Sequence, residues 1–308
     1  MKKILSTVFL PLLLAGCINL DFVASDSLTS AALSSNPAAA VYTTDGIYAL
    51  MKDYAEFRNG VSQNNTFIRQ YFLLSELKGD NICFSNTSTD PFWDAATYKD
   101  DANSANSGYM WVICYKLIYA ANANISGLDE ETDLNKQLKG ENYFLRAFFH
   151  FTLCNLFAKP YSFGADNPGV ILRIGTDYSE TRRATLGECY DAIEADLKEA
   201  IRLMSPEALA DVNAIRTRAG LTGDAQMSSA NLARRGYKSS LDAVLDERRL
   251  ELYYEGFRVL DLVRNKRDID RRFPSRAECV VIPYTNPRIQ YQIPVDETSV
   301  SGIPINER

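Results

Sequence analysis

Apolar residues along this chain recur mostly three and four positions apart, the period of helices that bury one stripe. The densest pattern is Leu241 to Arg267, LDAVLDERRLELYYEGFRVLDLVRNKR, with Leu241, Val244, Leu245, Leu252, Val259 and Leu262 on one line. It predicts one helix with a core-facing stripe. Glu247, Arg248, Glu251, Glu255, Arg258, Asp261 and Arg264 fill the other positions, several of them three or four apart and so able to pair. Spacing alone is compatible with a solvated face whose salt bridges contribute little. Tyr253, Tyr254 and Phe257 around Gly256 favour a face packed in part against something else.

Helical patterns dominate elsewhere too. Pro37, suited to a first turn, starts a helix toward Tyr54, and Thr66 to Leu77 forms a shorter one. Met110 to Ile125, carrying Trp111, Tyr115 and Ile118, is apolar nearly all round, as is Tyr143 to Phe157; such helices are buried on most sides. Thr185 and Glu188 have the spacing of a capping box before a stripe of Leu186, Tyr190, Ile193, Leu197, Ile201 and Met204. That stripe must be covered, because a soluble monomer rarely exposes so large an apolar patch. After Ser205 and Pro206 a helix restarts and leads to Asp211–Ala219. Pro274, Pro283, Pro287, Pro294 and Pro304 forbid a long helix and predict extended chain laid over the bundle. The fold class expected is mainly α, an irregular helical bundle with an extended Pro-rich C-terminal segment. The stripes also fit paired helices like those of tetratricopeptide repeats, although no clean internal period is present.

The N-terminus adds a compartment. Lys2 and Lys3 precede the apolar run Ile4 to Leu14, too short to span a bilayer and suited to a signal peptide. The run closes in Leu14, Ala15, Gly16 and Cys17, which is similar to a bacterial lipobox and marks Cys17 as the lipid attachment point. Several acyl chains on one residue give a stable anchor where a single chain would not. Residues 18–36, rich in Ser, Ala, Thr and Asn, read as a spacer. The division expected is 1–16 signal peptide, 17–36 lipidated spacer and 37–308 a single domain, for which 308 residues at 46% hydrophobic content suffice.

Composition narrows the chemistry. A net charge of −6 offers no basic patch for phosphates, so nucleic acid is not the expected partner. The six cysteines show no C-x-x-C or Cys/His cluster, which leaves a metal site, a cofactor site or a Cys-His nucleophile without support. Cys114, Cys154 and Cys189 fall on helical patterns as small hydrophobes, and a Cys83–Cys279 disulfide is open. His150, the single histidine, lies in an apolar run and reads as a core residue. No catalytic residue stands out. The candidate binding stretch is Asp80 to Gly108, a long polar loop of the kind that is usually functional or disordered. Trp93 and Tyr98 could stack on the C–H faces of sugars, and Asp94, Asp100, Asn103 and Asn106 could bond hydroxyls. Equally, Phe92 and Trp93 could anchor the loop to the core while its polar residues only solvate it.

The string ERRLELYYEGFRVLDLVR resembles the signature of the SusD/RagB family, nutrient-binding lipoproteins of the outer surface of Bacteroidetes-type bacteria. LKGENYFLRAFFHFTLCNLFAKPYSFG, with Glu141, Arg146 and Ala147, resembles a second string of that family, and CYDAIEADLKEAIRLM, VNAIRTRAG and the closing Ile293-Pro294-Val295-x-Glu297 resemble others. The resemblance implies tetratricopeptide-like helix pairs and an architectural role for Arg258 and Asp261. It also implies capture of an oligosaccharide or other nutrient without turnover, and delivery to a SusC-like TonB-dependent transporter in the outer membrane. It covers about Asp45 to Met204 and Asp211 to the end; the long middle region usual in the family is almost absent between them. A helical scaffold without a ligand, a non-functional truncated member, and a glycoside hydrolase built on a carboxylate pair stay as alternatives.

Overall fold

The computed structural model describes residues 37–53, 57, 66–82, 92–177, 179, 181–204, 256–272 and 280–306. Cys17 and its spacer, the 211–219 helix, the part of the signature pattern before Gly256, and both Cys83 and Cys279 lie outside the described residues. What is described is mainly helical, with two small antiparallel hairpins.

Five helices form the body: α1 (Pro37–Lys52), α2 (Phe67–Glu76), α4 (Ala105–Gly127), α5 (Asp133–Phe157) and α6 (Leu186–Leu203), with a single turn, α3 (Trp93–Ala96), before α4. Their starts are encoded locally. The Thr66 hydroxyl accepts from the Arg69 amide at 3.2 Å and Thr132 from Asn135 at 3.1 Å. At α6 the expected capping box is present in both directions: the Glu188 amide donates to Thr185 Oγ1 at 3.2 Å, and the Thr185 amide to Glu188 Oε2 at 2.7 Å.

The centre is α4. Tyr109, Trp111, Cys114, Leu117, Ile118 and Ala121 are buried on different sides of it, as its all-round apolar character requires. The helix pairs with α5 across the short 128–132 connection, and α5 pairs with α6 across hairpin β1 (Pro168–Ile171) and β2 (Arg183–Thr185). Polar groups inside this packing are matched. Asn142 donates to Thr44 at 2.9 Å and accepts from Asn124 at 3.0 Å, tying α1, α4 and α5 together. Arg146 on α5 clamps Asp196 on α6 with two bonds of 2.6 and 2.8 Å and reaches Asn122 on α4 at 2.7 Å.

His150 is a core residue, as read. Its Nε2 accepts from the Arg173 amide at 3.2 Å, which leaves Nδ1 to donate to the Arg146 carbonyl at 3.1 Å. Burial foremost, then the Arg146 charge, lowers its pKa to about 4.

Two expectations are corrected. The buried stripe of α6 is Leu186, Cys189, Ile193, Asp196, Ala200 and Leu203, rotated from the one expected. The reason is close approach to α5: a Cβ on Gly140 would meet Leu203 Cβ at 3.1 Å and the Ala200 carbonyl at 3.2 Å, so small residues face inward. Leu197 (37%) and Ile201 (57%) are exposed, while Met204 is half-buried against Gly140. The signature pattern also does not run as one helix to Arg267. Gly256 has φ +78, in the left-handed region, and helix α7 is only Arg258–Arg264. Gly256 is required twice over, since a Cβ there would sit 2.7 Å from Ser75 Cβ on α2. The expected stripe residues Val259 and Leu262 are buried.

The C-terminal segment lies over the bundle as the proline spacing predicts. It holds hairpin β3 (Ile269–Asp270) and β4 (Val281–Ile282), a 3-10 turn at Pro287–Ile289 and one short helix, α8 (Val295–Ser301), begun by Pro294. Ile293 is fully buried, and Glu297 receives the Trp111 indole N–H at 3.1 Å. Tyr291 donates its amide to Leu156 O and its hydroxyl to Leu74 O, both at 2.8 Å. The closing string therefore locks the end of the chain to α2, α4 and α5.

Candidate functional site

The stretch between α2 and α4 is organised around a buried cation. Lys78, one residue beyond the C-cap of α2, is 1% exposed; its ammonium meets Asp100 Oδ1 at 3.0 Å and donates to the Arg288 carbonyl at 2.7 Å. It also lies 3.7 Å from the Tyr291 ring centroid and 5.5 Å from that of Tyr98. Tyr98 sits at φ +59, costly for an aromatic residue. Its hydroxyl donates to the Lys78 carbonyl, the Arg271 guanidinium lies 5.6 Å from its ring, and its own carbonyl accepts from Arg288 at 2.9 Å. These contacts over-determine the conformation. Burial pushes the Tyr98 hydroxyl well above the ordinary phenol range.

On this base the six candidate residues separate. Tyr98 (5% exposed) and Asp100 (2%) are inside, so Tyr98 offers a ligand no ring face and Asp100 is committed to Lys78. Asp94 and Asn103 are exposed, and Trp93 and Asn106 are half-buried. Trp93 and Asp94 open α3; the Asn103 amide donates to Asp101 Oδ1 at 2.8 Å, an Asx turn that sets up α4. Asn106 accepts from Gln70 Nε2 at 2.8 Å, which ties the start of α4 to α2. Phe92 is the anchor, 3% exposed with Arg69 over its ring at 5.1 Å. The loop is also shorter than read, because Ala105–Gly108 is the first turn of α4.

The residues that position this loop were not identified from the sequence. Lys78, Arg271 and Arg288 act across about 20 to 210 positions of chain, and nothing in their local context marks them. Asp80, at the loop's first residue, is held by Arg258 of α7 with two bonds of 2.7 and 2.8 Å, so the signature arginine closes on the loop rather than on Asp261. Asp261 itself is buried.

Apart from this loop, a concavity of about 930 Å³ lies among α2, α5, α6 and α7. Its lining is largely apolar, with Phe144, Phe148, Phe151, Tyr161 and Tyr190 among its aromatic residues, and includes Asn155, Lys159, Asp191, Glu194 and Gln290. Phe144 and Phe148 stack at 6.4 Å and Tyr161 meets Tyr190 edge-on at 5.1 Å. Among the described residues no group of three or more His, Cys, Asp or Glu could hold a metal ion, and no helix is long and apolar enough to cross a membrane.

Residues 49–220 match a family described as starch-binding and associating with the outer membrane, and residues 193–302 match the SusD family. No curated protein matches the chain. Among solved structures, a SusD superfamily protein from Bacteroides vulgatus superposes with TM-score 0.69 at 15% identity, covering 88% of this chain and 98% of its own. One from Bacteroides thetaiotaomicron gives 0.68 at 15% identity, covering 89% and 100%. One from Bacteroides fragilis gives 0.66 at 14%, covering 87% and 98%. These relatives are covered nearly end to end, so the chain has the fold that they share. Two overlapping matches reach from α1 to the last helix, and with the helix pairs and the closing string they fix the identity: the chain belongs to the SusD family.

Proposed function

We propose that this protein is a surface lipoprotein that captures an oligosaccharide and hands it to a SusC-like TonB-dependent transporter in the outer membrane. The observation that carries this reading is the match of residues 49–220 to a family described as starch-binding and associating with the outer membrane. The lipobox-like Leu14 to Cys17 supports attachment through acyl chains. The ligand surface proposed is the outer face of the α2–α4 connection, where Trp93 supplies an apolar platform and Asp94, Asn103 and Asn106 supply hydroxyl partners. The buried Lys78–Asp100 pair and the Arg258–Asp80 clamp hold the ends of this connection, so Trp93, Asp94, Asn103 and Asn106 stand beside a fixed ionic base. Binding proceeds without bond cleavage.

Affinity electrophoresis through gels containing soluble starch or other polysaccharides tests the capture step. Retardation by at least one glycan, with no reducing sugar released, is expected; unretarded migration through every glycan would remove the reading. Fractionation tests the anchor. Cys17→Ala is expected to leave the membrane fraction while its melting curve stays unchanged, and equal partition with wild type would show that Cys17 is not the attachment point.

A further inference from the structure

The chain leaving β1, residues 172–175, is held to the helices by side chains of α4 and α5. Asn122 donates to the Arg173 carbonyl at 2.9 Å and to the Gly175 carbonyl at 2.8 Å, and Arg146 donates to the Ile174 carbonyl at 3.0 Å. Adding a proton alters none of these bonds. The Arg173 amide is held differently: it donates at 3.2 Å to Nε2 of His150, which is 2% exposed and accepts there only while its ring is neutral. We propose that the His150–Arg173 bond is an acid-released latch, and that protonation of His150 frees residues 172–175 from α4 and α5 while the helices stay folded.

Geometry sets the direction. Nδ1 already donates to the Arg146 carbonyl at 3.1 Å, so an added proton goes to Nε2 and points at the Arg173 N–H. A donor then faces a donor, and a second cation stands beside the Arg146 guanidinium in a buried site. The other charged and titratable groups gathered here are Arg146 on α5, Arg173 on the held segment, Asp196 on α6 and the Tyr115 phenol on α4. Both Asp196 oxygens are taken by Arg146, at 2.6 and 2.8 Å, and Tyr115 exchanges two bonds with the Ile171 backbone, at 2.9 and 3.0 Å. The strain is relieved outward. Ile174 is 65% exposed and Leu172, Arg173 and Gly175 are half-buried, so the segment parts from the helices without opening the contact between them. Burial, then the Arg146 charge, holds the latched ring at a pKa of about 4, against 6.5 for a free one. Between those values the released form binds a proton that the latched form refuses, and release gains about tenfold per pH unit as pH falls.

The proposal is independent of the carbohydrate reading and is tested by amide hydrogen exchange on the full chain, corrected for the intrinsic rate at each pH. Peptides covering 172–176 should lose protection by about tenfold per pH unit below about pH 6.5, while peptides covering 146–157 on α5 keep theirs. His150→Gln, whose side-chain carbonyl accepts without titrating, should hold the 172–176 protection level over the same range. Wild-type protection at 172–176 that ignores pH, or that is lost only together with α5, would overturn the latch. An equal slope in His150→Gln would assign the titration to another group and overturn it too. The ring protons of this single histidine, followed by NMR, give a second readout that needs no variant. They should titrate over the range in which the segment is released; a ring that takes up its proton while 172–176 stays protected would also overturn the proposal.

Discussion

His150 is the only histidine in the chain, which makes its titration separable from everything else. Its pKa is lowered to about 4 by burial and by Arg146, against 6.5 unperturbed, so between those values the unfolded chain binds a proton that the folded chain refuses. Stability is therefore lost as pH falls from about 6.5 to about 4, and the shift corresponds to roughly 3 kcal/mol. Urea midpoints across that window should show the slope, and His150→Phe should flatten it; equal slopes in both proteins would contradict the assignment. Gly256→Ala should cost about 1 to 2 kcal/mol for its left-handed backbone alone, and more because of Ser75 on α2. A thermal melt unchanged from wild type would remove that requirement. His150 was legible in the sequence as a core residue, whereas Gly256 read as a position inside one helix, because the Ser75 contact that demands glycine there comes from a distant segment. Tyr98 and Asp100 were legible as chemically able but not as buried, because Lys78, Arg271 and the Arg288 carbonyl that enclose them come from three separate segments.

Helices were read well where capping and periodicity agreed, as at Thr66–Leu77 and at the Thr185–Glu188 box of α6. They were read less well where packing distance decided the buried face. On α6 the larger Leu197 and Ile201 looked like the core stripe, yet Cys189, Asp196 and Ala200 face α5 because the helices approach closely at Gly140. Ion pairs tell the same story. The spacing of charges in the signature string offered Arg258 partners three or four positions away, yet its partner is Asp80, 178 positions distant. Arg146 and Asp196, at 7% and 9% side-chain exposure, should cost about 3 to 5 kcal/mol when either is truncated to Ala, since the other charge is left buried. Arg258 and Asp80 are somewhat more open, at 13% and 12%, and Arg258→Ala should fall between that range and the roughly 1 kcal/mol of an exposed pair. Denaturant titrations of the two arginine variants decide it; an Arg146→Ala loss no larger than that of Arg258→Ala would contradict this ranking.

For the whole molecule, the family was legible in the sequence strings, and the solved relatives share the chain's helical fold over nearly their whole length. The body is closed at its far end by the Tyr291, Ile293 and Glu297 contacts, and the proposed ligand surface stands on a buried ionic base at the α2–α4 connection. The central claim is that this surface binds sugar and that Trp93 is its platform. Stacking of a sugar face on an indole should supply about 1 kcal/mol or more, a loss of roughly fivefold or greater in affinity when the ring is removed. Isothermal titration calorimetry of the bound glycan against wild type and Trp93→Ala measures this directly. The account predicts saturable binding by wild type and at least that loss in the variant with its melting temperature retained; equal affinity in the two proteins would contradict the site.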